Sequence, residues 1–183
     1  MLFEGRGGPK YCWCMAWRAT GEEARHTEGK SRKAFIKSRV DAGIPIGILA
    51  YKNDEPIAWC SVAPKETYRK LDDLKIDDEG EKIWSIVCFY IKREFRGNQL
   101  ATFLIDAAID YARNNEATII EAYPVDADSP SYRFMGFVPM FQQYRFEECG
   151  KAGSRRHVMR LKLSPAAGNH YFFAGDTGRL ITC

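Results

Sequence analysis

The segment IWSIVCFYI, residues 83–91, carries apolar side chains at both alternating sets of positions. A strand with one exposed face alternates apolar and polar residues, whereas a strand covered on both faces is apolar throughout. This segment is therefore predicted to be a central strand in a sheet that is covered on both sides.

A helix and another strand follow this segment. From Leu100 onward, apolar residues recur at the three- and four-residue spacing of one helix face, and TIIEAYPV at 118–125 has the composition of a strand. A strand, a helix and a strand in this order form a βαβ unit in which the two strands run parallel. The predicted inward face of the helix consists of Leu100, Phe103, Leu104, Ala107, Ala108, Tyr111 and Ala112.

Two hairpins flank this unit. IGILAY and PIAWCSVA enclose an Asn-Asp turn, and FEECG precedes a turn that leads into HVMRLKL at 157–163. Between the unit and the second hairpin, residues 137–144 are predicted to form a short helix that begins near Pro139, because proline is favoured in the first helical turn.

The remaining segments are charged. Residues 20–43 are predicted to be helical, with Ala34, Phe35 and Val40 as a thin apolar stripe. The polar stretch 65–82 is predicted to be an exposed loop.

These elements predict an α/β fold of the α+β type, with a central mixed sheet, the βαβ unit and a C-terminal hairpin. A length of 183 residues suits one domain. We assign residues 1–163 to this domain and the turn-rich residues 164–183 to a C-terminal extension.

Composition narrows the functional classes. A net charge of +3 with interspersed signs is too weak a bias to indicate nucleic-acid binding, and no apolar run reaches the roughly 20 residues of a membrane span. No signal peptide is recognisable, so a cytoplasmic location is expected, in which most of the six cysteines remain free thiols. The CWC spacing at 12–14 is tight for zinc, and no metal is expected.

The loop after the central strand, residues 92–99, contains Arg93, Arg96 and Gly97. The first turn of the following helix presents unpaired N–H groups and the positive end of the helix dipole, which together attract anions. Because no G-x-x-x-x-G-K-[ST] motif occurs here, a nucleoside-triphosphate loop is excluded at this turn, and the missing G-x-G-x-x-G motif weakens a dinucleotide site. The turn is predicted to bind a phosphate, with a solvated turn as the alternative.

The stretch IKREFRGNQLATFLIDAAIDYA resembles the acetyl-CoA signature of the GNAT-superfamily N-acetyltransferases, a strand ending in V-x-P-x-[YF] followed by [RQ]-x-x-G-x-[GA] and an amphipathic helix. Phe95, Arg96 and Ala101 match the aromatic, leading and final positions. Arg93 replaces the proline and Gln99 replaces a glycine. The segments CWCMAW, WCSVAP and EAYPVD resemble a bacterial subset of this superfamily.

The resemblance extends over about residues 10–163 and implies acetyl-CoA as the cosubstrate. The backbone of residues 96–101 would bind the pyrophosphate, and a main-chain N–H near Phe89 or Tyr90 would polarise the thioester. Gln99 is expected to fit only with a negative φ. The implied acetyl-CoA-binding residues are Phe89, Tyr90, Ile91, Arg96, Gly97, Asn98, Gln99, Leu100 and Ala101.

The resemblance also implies direct attack of an amine on the thioester, with a base and an acid. Glu121 is assigned as the general base, with Asp126 as an alternative. The family pattern Y-x-x-x-G-F, which supplies the acid, has two alignments: YRFMGF selects Tyr132, and FQQYRF puts Phe141 in the acid position. Tyr132 is our assignment, and Tyr144 is a substitute from nearby.

The predicted function is transfer of an acetyl group to a primary amine of a small molecule or peptide, without nucleic-acid or membrane partners. The alternative is a catalytically idle CoA-binding sensor or an interaction module of the same fold. We expect some of the four tryptophans to line an acceptor pocket and at least half to lie in the core. They are Trp13, Trp17, Trp59 and Trp84. Because the family's usual N-terminal strand is not recognisable, the open sheet edge is predicted to be covered by a homodimer partner or by the strand-like HYFFAG segment of the tail.

Overall fold

The computed structural model describes residues 2–97, 99–164 and 178–182, which form a mixed sheet with helices on it. Along the chain, one hairpin precedes the βαβ unit and the other follows it, as predicted. The seven strands are β1 (Ile48–Lys52), β2 (Glu55–Pro64), β3 (Ile83–Ile91), β4 (Ile119–Ala122), β5 (Glu147–Ala152), β6 (Arg156–Lys162) and β7 (Gly178–Thr182).

Three α-helices accompany the strands: α1 (Gly29–Asp41), α2 (Leu100–Asn114) and α3 (Val138–Gln142). Short 3₁₀ turns occur at Gly21–Arg25, Lys65–Thr67, Arg93–Phe95 and Arg133–Met135. No helix in the described ranges is long and apolar enough to cross a membrane.

The central position of β3 is confirmed. The strands are ordered β5-β6-β4-β3-β2-β1-β7, so three strands lie on either side of it. β3 pairs parallel with β4, with Ile83 opposite Ile119 and Ile86 opposite Ala122, and all the other pairs are antiparallel. The predicted mixed sheet and βαβ unit are therefore both present.

Helix α2 covers one face of the sheet and contributes to the main hydrophobic core with β3 and β4. The predicted apolar stripe is close to the observed one but displaced around the helix. Ile105 and Ile109 are buried, whereas Phe103 and Tyr111 are only partly buried. Four residues of α2 are completely buried: Leu104, Ile105, Ala108 and Ala112.

The opposite face is covered by the N-terminal segment, α1 and part of the 65–82 loop. Leu2, Phe3 and Met15 enter a core cluster with Ile36 of α1. The predicted α1 stripe is wrong at Ala34 and Val40, which are both exposed, because Ile36 is the α1 residue that points to the sheet.

The 65–82 segment is not an exposed loop throughout, as the sequence had suggested. Tyr68 and Leu71 are buried in a third cluster with Val87 and Tyr123. Most charged residues of the segment are exposed, whereas Lys65, Asp72 and Asp78 are partly buried in ion pairs.

The first hairpin has the turn that its sequence predicts. Asn53 and Asp54 adopt φ values of 49° and 63°, the paired left-handed conformation of a tight two-residue hairpin turn. The second hairpin, β5 and β6, and the short helix α3 also lie where the pattern places them.

The edge strand β1 is covered by the tail. β7 pairs antiparallel with all five residues of β1, from Ile48 opposite Thr182 to Lys52 opposite Gly178. The tail therefore covers the sheet edge, but it does so with GRLIT. The HYFFAG segment that we had predicted for this position lies outside the described residues.

Candidate active site

The parallel strands β3 and β4 separate halfway along β3. Their pairing ends at Ile86 and Ala122, whereas β3 continues to Ile91, which lies opposite Ala58 of β2. After β4 the chain turns away, and Val125 forms bridges with Phe137 and Arg156 instead. No strand of the described chain pairs with this side of β3 beyond Ile86, and we call this separation between the C-terminal half of β3 and the chain that follows β4 the opening.

A β-bulge lies at the point where the strands separate. On β2, Ser61 and Val62 are consecutive, but their partners on β3 are Cys88 and Ile86, so Val87 is the extra residue. A bulge reverses the alternation of side chains and increases the local twist. Ile86 and Phe89 consequently both contribute to the core on the α2 side. The sequence of β3 shows no sign of this bulge because both of its faces are apolar.

The β3–α2 turn is basic and lies at the end of the opening. A 3₁₀ turn at Arg93–Phe95 is followed by Arg96, whose Nε donates to the carbonyl oxygen of Ile91 at 3.0 Å. Gly97 has a φ of 82°, which side-chain-bearing residues rarely adopt, and its Cα faces open space. The backbone at Gly97 is therefore accessible to a ligand.

Gln99 has a φ of 55°, so the expected negative φ at this position is wrong. The residue is the N-cap of α2 and makes no side-chain capping hydrogen bond. A glycine tolerates this left-handed conformation without cost, which explains why a glycine suits the position in the signature that this turn resembles.

The first turn of α2 has the properties of an anion site. It contains no acidic residue, and the cap leaves its N–H groups without a side-chain acceptor. Leu100 and Ala101 begin the helix as predicted, whereas Asn98 lies outside the described residues. The arrangement suits a phosphate group that approaches from the open side of the turn.

Tyr132 lies in the segment after β4 and has a φ of 60°. Its ring is 37% exposed and lies 6.3 Å from the Trp17 ring. The 3₁₀ turn that follows it, Arg133–Met135, packs against β3. Tyr132 is therefore attached to the segment that borders the opening, and its role as acid stays a prediction.

Both alignments of the tyrosine pattern fit the backbone at the glycine position. Gly136 of the first alignment has a φ of 88°, and Arg145 of the second has a φ of 63°. The second alignment is the one that lies directly before β5. Phe141 then takes the place of the tyrosine; it is fully buried, with its ring 6.3 Å from that of Phe89. Tyr144 donates a hydrogen bond to the carbonyl of Thr102 at 3.1 Å, and burial raises its pKa.

Glu121, our assigned base, is completely buried and paired. Its carboxylate lies 2.9 Å from Lys65 Nζ and 2.6 Å from Arg160 Nε, and it accepts a hydrogen bond from the Tyr123 hydroxyl. Arg160 also pairs with Asp78 at 2.6 Å. Burial, followed by the charge of Glu121, raises the pKa of Tyr123. The geometry suits a carboxylate that anchors the 65–82 segment, and the base role stays a prediction.

Asp126, the alternative base, directly follows Val125, where the chain leaves the sheet after β4. Its Oδ1 is 3.2 Å from Nε2 of His157, whose Nδ1 lies 2.9 Å from Oε1 of Glu148. The Asp126 side chain is 60% exposed, so a solvated amine can reach it. Sequence reasoning missed His157 as its partner because thirty residues and a hairpin separate them.

Three of the four tryptophans belong to the core: Trp13, Trp59 and Trp84 are all buried. Trp59 donates its indole N–H to Cys14 Sγ at 2.8 Å. A hydrogen bond with Cys88 lowers the pKa of Cys14, with further contributions from Arg18 and Trp59. Trp17 is the half-buried exception. In the described part of the chain, no group of three or more potential ligands is arranged to hold a metal.

The fold and the opening define a class: a mixed α/β sheet whose two parallel strands part near a basic strand–helix turn. The family model of the GNAT acetyltransferases matches residues 12–137, more than half of the chain, and the protein belongs to that family. A comparison with curated protein sequences gives no significant match.

Solved structures with this fold come from several bacteria. The chain resembles a putative acetyltransferase from Salmonella typhimurium, solved with acetyl-CoA, with a TM-score of 0.52 and 15% identity over 88% of each chain. It also resembles ribosomal-protein-alanine N-acetyltransferase from Brucella melitensis, with a TM-score of 0.51 and 17% identity over 74% of this chain and 79% of that one. At these identities the likeness shows the fold alone.

Proposed function

We propose that the protein transfers an acetyl group from acetyl-CoA to a primary amine of a small molecule or peptide. The observation that carries this proposal is the opening between β3 and β4, which ends at the basic turn and the start of α2. The family match and the acetyl-CoA found in the Salmonella neighbour support the choice of cosubstrate.

The opening suits an extended pantetheine arm. None of the strands that the structure describes pairs with the edge of β3 from Val87 to Ile91 on this side. A peptide-like chain can pair with such an edge as an added strand does. The pyrophosphate then reaches the N–H groups of residues 96–101. A main-chain N–H near Phe89 or Tyr90 would polarise the thioester carbonyl beside the bulge.

The proposed reaction is direct. The amine nitrogen attacks the thioester carbon, the carbon–sulfur bond breaks, and the CoA thiolate takes a proton. Tyr132 is proposed to donate this proton, with Tyr144 as the substitute. The amine loses its proton to a carboxylate or through water. Glu121 is our proposed base and Asp126 is the alternative. Because Glu121 is buried in ion pairs with Lys65 and Arg160, the more exposed Asp126 is easier for an amine to reach.

Binding and turnover test the proposal separately. At 100 times its Kd, acetyl-CoA adds about 2.7 kcal/mol to the free energy of unfolding. For a domain of this size, that raises Tm by about 5 to 10 °C. A Tm that saturating acetyl-CoA does not change refutes the proposal. Binding without acetylation of any amine in a broad panel supports the CoA-binding sensor instead.

A further inference from the structure

Four side chains form a cluster on the sheet face opposite α2: Trp17, Arg69, Tyr132 and Arg156. The guanidinium carbon of Arg69 lies 4.9 Å from the Trp17 ring centroid, and that of Arg156 lies 4.8 Å from it. Arg156 also lies 5.4 Å from the Tyr132 ring centroid. Two cations thus stack on one indole beside the proposed acid.

Neither guanidinium has a carboxylate partner within the described ranges. Arg156 donates from Nη1 to the carbonyl oxygen of Leu71 at 3.1 Å, and burial lowers its pKa. The carboxylate of Asp72 lies in the neighbourhood but already binds Lys65 at 3.2 Å and the Tyr123 hydroxyl at 3.0 Å. Arg156 is half buried, and a cation in that position without a carboxylate partner is costly unless it serves a ligand; the exposed Arg69 adds a second positive charge beside it.

The indole of Trp17 adds an unused donor. Its Nε1 is enclosed and has no hydrogen-bond acceptor among the described residues. A buried donor without an acceptor is uncommon in a folded protein and calls for an explanation at its site. Arg69, which covers one side of the ring, is exposed and free to move when a ligand enters.

The cluster is connected to the opening. Tyr132 directly precedes the Arg133–Met135 turn, and Met135 packs in the same core cluster as Val87, the bulged residue of β3. Arg156 begins β6 and bridges to Val125, where the chain leaves the sheet after β4. The cluster therefore lies at the border of the opening, beside the segment that would face the thioester.

We propose that Trp17, Arg69, Tyr132 and Arg156 form the acceptor site and that they select an amine that also carries a carboxylate, such as an amino acid or a peptide end. This inference rests on the proposed acetyltransferase function and adds its substrate class. A guanidinium stacked on an aromatic ring keeps its N–H edge free and pre-oriented, and that edge matches a planar carboxylate in a two-hydrogen-bond geometry.

The two charges also argue against a simple cationic amine. An aromatic cage binds ammonium groups when no cation is already stacked on it, but here both arginines would repel one. For an acceptor anchored by its carboxylate, the same positive field lowers the pKa of the neighbouring ammonium group. The site thereby favours the neutral amine, which is the form that attacks the thioester.

Matched ligands test the carboxylate requirement. The probes are the twenty amino acids and their carboxamides, used as acceptors with acetyl-CoA, and the corresponding N-acetyl amino acids and amides, titrated by calorimetry into the CoA-bound protein. We expect the preferred acid to exceed its amide at least tenfold in kcat/KM and in affinity, because a charged hydrogen-bonding partner is lost in the amide.

Variants assign the discrimination to the cluster. Arg156→Ala and Arg69→Ala should each reduce the acid-to-amide ratio to about threefold or less, and Arg156→Lys should restore part of it. Lys151→Ala removes an exposed positive charge from the same hairpin and should leave the ratio unchanged. Because Arg69 is exposed, its variant remains informative even if Arg156→Ala fails to fold.

The outcomes separate the two proposals. Turnover with equal use of acids and amides leaves the acetyltransferase proposal intact and overturns the acceptor site. Carboxylate binding that depends on Arg156, without any turnover, supports the site and refutes the acetyltransferase proposal. A discrimination that survives both alanine variants overturns the site as described, as does the absence of both binding and turnover.

Discussion

Replacing Gln99 with glycine tests the conformation of the turn between β3 and α2, which we propose binds phosphate. Gln99 has a φ of 55°, which costs a side-chain-bearing residue about 1 to 2 kcal/mol. Glycine removes this cost but gains about 0.4 to 1 kcal/mol of conformational freedom in the unfolded chain. Gln99→Gly should therefore raise the free energy of unfolding by about 0.5 to 1 kcal/mol, measured by urea unfolding.

The same position tests where the pyrophosphate lies. Gln99→Gly should bind acetyl-CoA at least as tightly as the natural protein, because a side chain is removed from the turn. Gln99→Glu places a negative charge beside the phosphates. Repulsion of about 1 kcal/mol at low salt, equivalent to a roughly fivefold rise in Kd, should shrink as salt is added.

Calorimetry at two salt concentrations measures both effects. Asn114→Asp is the matched control, because it adds the same charge at the other end of α2, about 22.5 Å away by the helical rise. If the Gln99→Glu variant binds acetyl-CoA as tightly as the Asn114→Asp variant does at low salt, the pyrophosphate does not lie at this turn. A loss of stability in Gln99→Gly would refute the conformational argument.

Three further predictions concern the acid, the buried ion network and the tail. Tyr132→Phe should lower kcat about 100-fold at saturating substrates while changing KM less. An effect on kcat below threefold would mean that Tyr144 or solvent is the general acid, and the Tyr144→Phe variant distinguishes these two. Glu121→Ala should lower the free energy of unfolding by about 1 to 3 kcal/mol, since Lys65 and Arg160 each lose one of their two carboxylate partners. The exposed Glu81→Ala should change it little in urea unfolding. Deletion of residues 164–183 removes β7 and should lower stability or cause self-association, detected by urea unfolding and size-exclusion chromatography; no change in either would show that the tail does not protect β1.

Local patterns were sufficient for the βαβ unit. The apolar run of β3 and the spacing of apolar residues in α2 are written in consecutive residues, so they determine the type and position of each element. The hairpin turn at Asn53 and Asp54 was likewise predictable, because both residues tolerate the left-handed conformation that the turn requires. The family resemblance then indicated the acetyl-CoA turn.

The site depended on contacts that no local pattern contains. The bulge at Val87 left no trace in a strand that is apolar on both faces, and the φ of Gln99 contradicted the conformation expected of glutamine. The strand that covers β1 at the sheet edge, β7, comes from the far end of the chain. Such features arise from the register between distant strands, which the sequence of either strand alone does not specify.

The sequence by itself determined the fold class, the order of elements and the basic turn, because each rests on residues that are neighbours in the chain. Tertiary structure decided which charges are paired and which are not. Glu121 looked like a free base but is buried between Lys65 and Arg160. Arg156, which no sequence pattern singled out, stacks on Trp17 and has no carboxylate partner among the described residues. Burial and charge pairing depend on chain segments brought together by folding, and they set the chemistry of each group.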